Sequence, residues 1–228
     1  MNPDMPEDIS NIIIEKARYF GATLAGIADT AALKQSPSHK NTNDIIWPET
    51  VRSVLVLALG HPETEPELDW WVEKRYNTKG NRIVMDIEDR LIVYLENEHD
   101  IKAERIPYSI SKGGIFFKDA AVIAGLGVMG KNNLVITPEH GPRVRFGALW
   151  IYEWLEPIGS KGFDPCAGCE MPCRTACPQE AFAGGLYHKA RCKKQMGKDE
   201  RSAIKGILKG VEIKYCRECE FACPIGRK

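Results

Sequence analysis

Apolar residues first recur at helical spacing in Ile12, Ile13, Ala17 and Phe20, which follow Ser10, a side chain suited to capping a helix N-terminus. Two short apolar runs, residues 23–28 and 54–59, have the length of buried strands rather than of helices. Between residues 81 and 98, Val84, Ile87, Leu91 and Leu95 mark one face of an amphipathic helix. Residues 101–110 read as extended, because Pro107 lacks an N–H and disfavours a helix. Residues 117–124 form a further short helix, and residues 134–136 are expected to pair with residues 144–152 as a hairpin across the turn PEHGP. This mixture predicts an α+β class, with a mixed α/β N-terminal domain over residues 1–159. The breaker cluster Pro157, Gly159, Gly162 and Pro165 marks its end, leaving a second domain over residues 160–228.

Composition sharpens this division. Hydrophobic residues make up 43% of 228 and charged residues 27%, enough apolar material for a core and unlike a fibre or a disordered chain. The 31 basic and 31 acidic side chains cancel, so the expected partners do not include nucleic acid. The balance hides a net −6 over the first 159 residues and +6 over the rest. The apolar run at residues 54–59 is far short of the ~20 residues a membrane helix needs, and the acidic N-terminus lacks a signal-peptide pattern. A soluble, cytoplasmic protein without a membrane partner is expected.

All eight cysteines lie in the second domain. Cys166, Cys169, Cys173 and Cys177 stand in CAGCEMPCRTACP, Cys216, Cys219 and Cys223 in CRECEFACP, and Cys192 lies between. Each group ends in Cys-x-x-x-Cys-Pro. In two-cluster ferredoxins the closing cysteine of each run reaches across to the other cluster. By that crossover Cys166, Cys169, Cys173 and Cys223 would hold one 4Fe-4S cluster, and Cys177, Cys192, Cys216 and Cys219 a second. Three residues rather than two separate Cys169 from Cys173, a departure from the usual bacterial spacing. The competing reading is two zinc sites with four cysteines each, which leaves both Cys-Pro endings unexplained.

Gly125, Gly127 and Gly130 satisfy G-x-G-x-x-G, but Pro138, Gly141 and Pro142 follow where a dinucleotide-binding turn must open into a helix. The stretch KDAAVIAGLGVMGKNNLVITPEHGPRVRFGALW instead closely resembles a segment of corrinoid-dependent reductases, the epoxyqueuosine reductases and reductive dehalogenases. The order of that segment, followed by a two-cluster module with an isolated cysteine before the last group, matches as well. The resemblance implies a nitroreductase-like α/β domain that binds cobalamin, joined to a ferredoxin-like domain whose clusters feed electrons to cobalt. It assigns the corrinoid-side loop to Gly127, Gly130, Lys131, Asn132, Asn133, Thr137, Glu139 and Gly141. A flavin is the lesser cofactor alternative, by analogy with the nitroreductase fold.

Epoxyqueuosine reductases carry a proton-donating aspartate where this chain has Ser111, and Tyr108 is the candidate catalytic acid in its place. The expected activity is a corrinoid-dependent iron–sulfur reductase acting on a small molecule and supplied by a redox partner protein. The alternative is a non-catalytic electron-transfer protein that reduces a partner enzyme or a partner's corrinoid. Asp119 reads as a solvent-facing acid, Arg143 and Arg145 as neighbours on one strand face, and the basic run 188–194 as a surface that steers an acidic electron donor.

Overall fold

The computed structural model describes residues 9–72, 77–157, 162–204 and 212–227. The expected domain boundary between residues 159 and 160 lies outside the described residues. In chain order the first elements are α1 (Ile9–Tyr19), β1 (Leu24–Asp29), α2 (Thr30–Lys34), β2 (Ser53–Gly60), β3 (Trp71–Val72), β4 (Asn77–Thr78), α3 (Lys79–His99) and β5 (Ala103–Arg105). There follow α4 (Phe117–Ile123), β6 (Val128–Met129), β7 (Val135–Ile136), β8 (Val144–Ile151), α5 (Pro172–Thr175), α6 (Lys189–Ile204), β9 (Glu212–Ile213) and α7 (Glu218–Phe221). Among the described residues no helix is long and apolar enough to cross a membrane.

The chain divides into two compact units that it enters more than once. One draws on Met1–Gly60, Ile83–Val128 and Arg145–Phe163, the other on His61–Arg82, Met129–Val144 and Asp164–Lys228.

The first unit is built on a four-stranded sheet in the order β1-β2-β8-β5. β1 runs antiparallel to β2, with Ala25 opposite Leu57 and Ile27 opposite Leu55, and β5 runs antiparallel to β8. The apolar stripes read from the sequence become the core: Ile13 and Ala17 of α1 and Ile87, Leu91 and Leu95 of α3 join Ile27, Leu55, Leu57, Leu149 and Ile151 of the sheet. Burying each large aliphatic side chain is worth about 1.5–3 kcal/mol, so this shared interior decides where the helices lie. The approach of the α4 end to β1 requires Gly26, where a Cβ would stand 2.3 Å from the Ala124 carbonyl oxygen.

The expected hairpin between residues 134–136 and 144–152 does not form. β7 pairs with β6, while β8 lies between β2 and β5. Only an isolated bridge, Thr137 to Gly141, closes the intervening loop. Pro138 and Pro142 remove two ladder donors there, whereas Gly147–Ile151 of β8 are wholly buried and gain more inside the larger sheet.

The second unit has little regular structure. A three-stranded sheet in the order β4-β3-β9 and the helices α5, α6 and α7 frame the cysteine-bearing segments.

Candidate metal centre

Cys166 and Cys169 lie on a turn-rich segment, Cys173 on α5 and Cys223 just after α7. Together these four line one hollow, with Lys131, Asn132, Ile136, Met171 and Ile225 as further walls. The extra residue between Cys169 and Cys173 is absorbed locally. Met171 adopts a left-handed backbone (φ 56°), which turns the chain so that Pro172 opens α5. In that position the Met171 N–H donates to Cys169 Sγ at 3.4 Å.

Cys177, Cys192 on α6, Cys216 and Cys219 on α7 form a second neighbourhood. The Ala181 N–H donates to Cys177 Sγ at 3.3 Å, and burial, with Cys192 beside it, raises the Tyr187 hydroxyl above the usual phenol value. Burial, reinforced by Cys216, Glu220, Cys177 and Cys192, pushes the Cys219 thiol up to about 12. Burial likewise raises Cys173, Cys216 and Cys223. Thiols raised in this way ionise when a bound cation compensates the thiolate charge.

The thiol donors, with the backbone N–H groups of Met171 and Ala181 aimed at Cys169 and Cys177 sulfur, are a donor set that fits an iron–sulfur cluster.

The loop 130–143 packs beside these cysteines. Asn132 is buried, its amide donating to the Cys219 carbonyl at 3.2 Å while its side-chain oxygen accepts from the Leu134 N–H at 3.2 Å. Thr137, also buried, donates its hydroxyl to the Gly141 carbonyl at 3.0 Å. Gly141 has φ +57°, and a Cβ there would lie 2.0 Å from the Ile225 carbonyl oxygen. All three are engaged within their own unit, Asn132 with the Cys219 carbonyl and Gly141 against Ile225. Gly130 donates its N–H to Leu134 at 2.8 Å. Lys131 and Glu139 are exposed, Asn133 is half-buried with φ 60°, and Gly127 belongs to the other unit.

Arg143 supports the same segment. It is buried rather than displayed on a strand face, and it donates to the carbonyls of Glu220, Cys223 and Ile225 at 3.3, 3.4 and 2.5 Å. Its place in RVR gave no signal, since a buried and a solvated arginine read alike. Trp70 and Trp71 engage their own unit: Lys214 Nζ lies 3.8 Å over the Trp70 ring, and Trp71 meets Tyr215 edge-on.

His61, Asp69 and Glu220 bring three ligand-type atoms together, with His61 Nδ1 2.7 Å from Asp69. The place of a metal ion is already taken there by a guanidinium: Arg217 lies 2.5 Å from Asp69, pairs with Glu220 and reaches His61 Nδ1 at 2.5 Å. This cluster clamps the Cys216–Cys219 turn to residues 61–69.

In the first unit, Tyr108 is 44% exposed and donates its hydroxyl to the Phe146 carbonyl at 2.7 Å. Desolvation and the nearby Glu88 carboxylate raise its pKa above the usual phenol value. Glu88 is buried against Arg105, whose Nε stands 2.9 Å from Oε2, and burial still pushes the carboxyl up to about 8. Gly125–Gly130 contain β6 and are followed by β7 rather than a helix, so no helix N-terminus stands behind a dinucleotide-binding turn.

No protein-family profile matches the chain. The curated epoxyqueuosine reductase of Pseudomonas aeruginosa is 29% identical over 135 residues, 56% of this chain and 37% of its own. That of Listeria monocytogenes is 24% identical over 216 residues, 83% of this chain and 53% of its own. The curated relatives are epoxyqueuosine reductases. This chain spans about half or less of their length. A solved epoxyqueuosine reductase, seen with an epoxyqueuosine-modified tRNA stem loop, superposes with TM-score 0.65 at 18% identity over 96% of this chain and 65% of that one. A reductive dehalogenase structure, that of an enzyme of B12-dependent dehalogenation, gives TM-score 0.69 at 16% identity over 95% of this chain and 32% of that one. The mixed α/β fold is thus that of epoxyqueuosine reductase and reductive dehalogenase structures. The expectation that nucleic acid is not a partner finds no support among these relatives.

Proposed function

We propose that the chain is an iron–sulfur oxidoreductase carrying two 4Fe-4S clusters, one on Cys166, Cys169, Cys173 and Cys223 and one on Cys177, Cys192, Cys216 and Cys219. The observation that carries this reading is the hollow in which Cys223 joins three cysteines some fifty residues earlier in the chain. The ferredoxin-like character of the cysteine module and the nitroreductase-like character of the other unit belong to the same proposal, as does a location in the reducing cytoplasm.

The reaction is a reduction supported by a corrinoid, as the resemblance to epoxyqueuosine reductases and to a B12-dependent dehalogenase suggests. A bound corrinoid would supply a strongly reducing cobalt centre. For its contacts the proposal keeps Gly127, Gly130, Lys131, Asn133 and Glu139, and leaves Asn132, Thr137 and Gly141 as supports of the loop. Tyr108 is the proposed proton donor; its hydroxyl would have to exchange the Phe146 carbonyl for a substrate atom. A modified tRNA and a small molecule both remain substrate classes within this reading, the first carried by the relatives' name.

Anaerobic reconstitution followed by iron, sulfide, zinc and cobalt analysis tests the proposal. Iron and sulfide in equal amounts, with electron-spin signals on reduction, support the clusters; zinc in place of iron refutes them. Titration with cobalamin should perturb its visible spectrum, and no spectral or thermal response would leave a cluster protein without the corrinoid, the behaviour of a pure electron carrier.

A further inference from the structure

The surface around α6 separates charge in an orderly way. Cys192, Met196, Asp199 and Ala203 follow one helical stripe and are half-buried, while Lys194, Lys198 and Arg201 recur at the same spacing on the opposite, exposed face. Both acids of the helix are used inward: Asp199 accepts from the Cys216 N–H at 2.9 Å and Glu200 from the Tyr215 hydroxyl at 2.7 Å. Lys189, Arg191 and Lys193 are exposed as well, so among the helix's charged side chains only cations are fully exposed. Residues 184–188 leading into the helix are all exposed, and they include two apolar side chains, Leu186 at 71% and Tyr187 at 39% exposure. Tyr187 stands five residues before Cys192 in the chain.

We propose that this cationic surface, with Leu186 and Tyr187 as its apolar part, is the docking site of a small acidic one-electron carrier protein. The inference rests on the cluster reading above and names where electrons enter: at the cluster proposed on Cys177, Cys192, Cys216 and Cys219. One electron leaves the carrier's reduced centre and enters that cluster; no bond forms or breaks. An exposed cationic face selects an acidic partner by charge and accelerates its encounter. The outer face of α6 is about one helix diameter, roughly 10 Å, from the cysteine face. An exposed apolar pair beside the cations suits a short-lived protein contact better than phosphate recognition, which has no use for apolar area.

The experiment uses the full chain with its clusters and recombinant flavodoxin as the acidic probe. Binding of oxidised flavodoxin is measured by calorimetry at low and high salt, and cluster reduction by flavodoxin hydroquinone is followed in stopped flow. The double variant Lys194→Glu/Lys198→Glu should weaken binding and slow reduction roughly tenfold or more at low salt, and lose most of the salt dependence. Leu186→Asp should weaken binding at every salt concentration. Reduction by methyl viologen radical, which needs no docking, should stay within about twofold in both variants. Unchanged flavodoxin binding and rates, with clusters intact and reducible by viologen, would overturn the docking site alone. Weaker binding of an RNA stem loop with flavodoxin rates unchanged would likewise overturn it, assigning the face to nucleic acid. Protein that takes up no iron or sulfide would overturn the cluster reading and this inference with it.

Discussion

Asp119 is 6% exposed and accepts from the Ser36 hydroxyl at 2.8 Å, the Ser38 N–H at 2.8 Å and the Ser38 hydroxyl at 3.0 Å, a buried network in place of the solvent-facing acid its sequence suggests. His39 completes the network: Nε2 accepts the Phe116 N–H at 3.2 Å, which assigns the proton to Nδ1 and its donation to Ser36 at 2.8 Å. Desolvation alone would raise the Asp119 pKa, but these donors outweigh it and hold the carboxyl at about 2 against an ordinary 3.8. Because the folded value is the lower one, the stabilisation is present above pH 4 and lost as pH falls toward 2. It amounts to about 2 kcal/mol. Urea unfolding across that range should show the loss, and Asp119→Asn should remove the slope. Glu88 has the opposite sign. With its carboxyl raised by burial to about 8, the folded state keeps a proton that the unfolded state releases, so stability should fall as pH rises from about 4.5 to 8. Glu88→Gln should flatten that limb of the same curve. Nothing in the local sequence of either acid distinguishes the two, since the difference lies in partners up to 83 residues away.

At the scale of elements, the loop before β8 and the turn after α7 hold each other in place. Arg143 supplies donors to three carbonyls around Cys223, and Gly141 allows Ile225 to approach its backbone. Arg143→Met should cost about 3 kcal/mol or more, since each buried acceptor left without a donor costs about 1–3 kcal/mol. Differential scanning calorimetry would register that loss. Gly141→Ala should destabilise by a similar amount through steric conflict with Ile225 and strain at positive φ. In both variants iron should be lost to a chelator faster than from the unaltered protein, because Cys223 is the cysteine they hold. The periodicity of α3 and the apolar runs of β1 and β2 were readable because one buried face leaves a repeating pattern in the chain. The partner of β8 was not, because strand choice depends on which sheet can bury it.

For the whole molecule, the cysteine module carries +6 by formal charge after residue 159, and two clusters of about −2 each would offset most of it. Cys223→Ser should therefore cost one cluster and leave the other, roughly halving the iron content, whereas Cys219→Ser should remove the opposite one; distinct electron-spin signals would tell the two apart. A loss of both clusters from either change would mean that the quartets are not assembled as proposed.

The alternation of helices and strands, the buried stripes, the eight thiols and the grouping of Cys223 with Cys166, Cys169 and Cys173 were all legible in the chain, because periodicity, spacing and side-chain chemistry are local properties. That Arg143 and Asn132 bond the segment around Cys219 and Cys223 from within, that β8 pairs away from β7, and that Asp119 is buried came from the folded arrangement alone. Those outcomes depend on which distant groups satisfy one another once water is excluded, and that competition is settled among all segments at once.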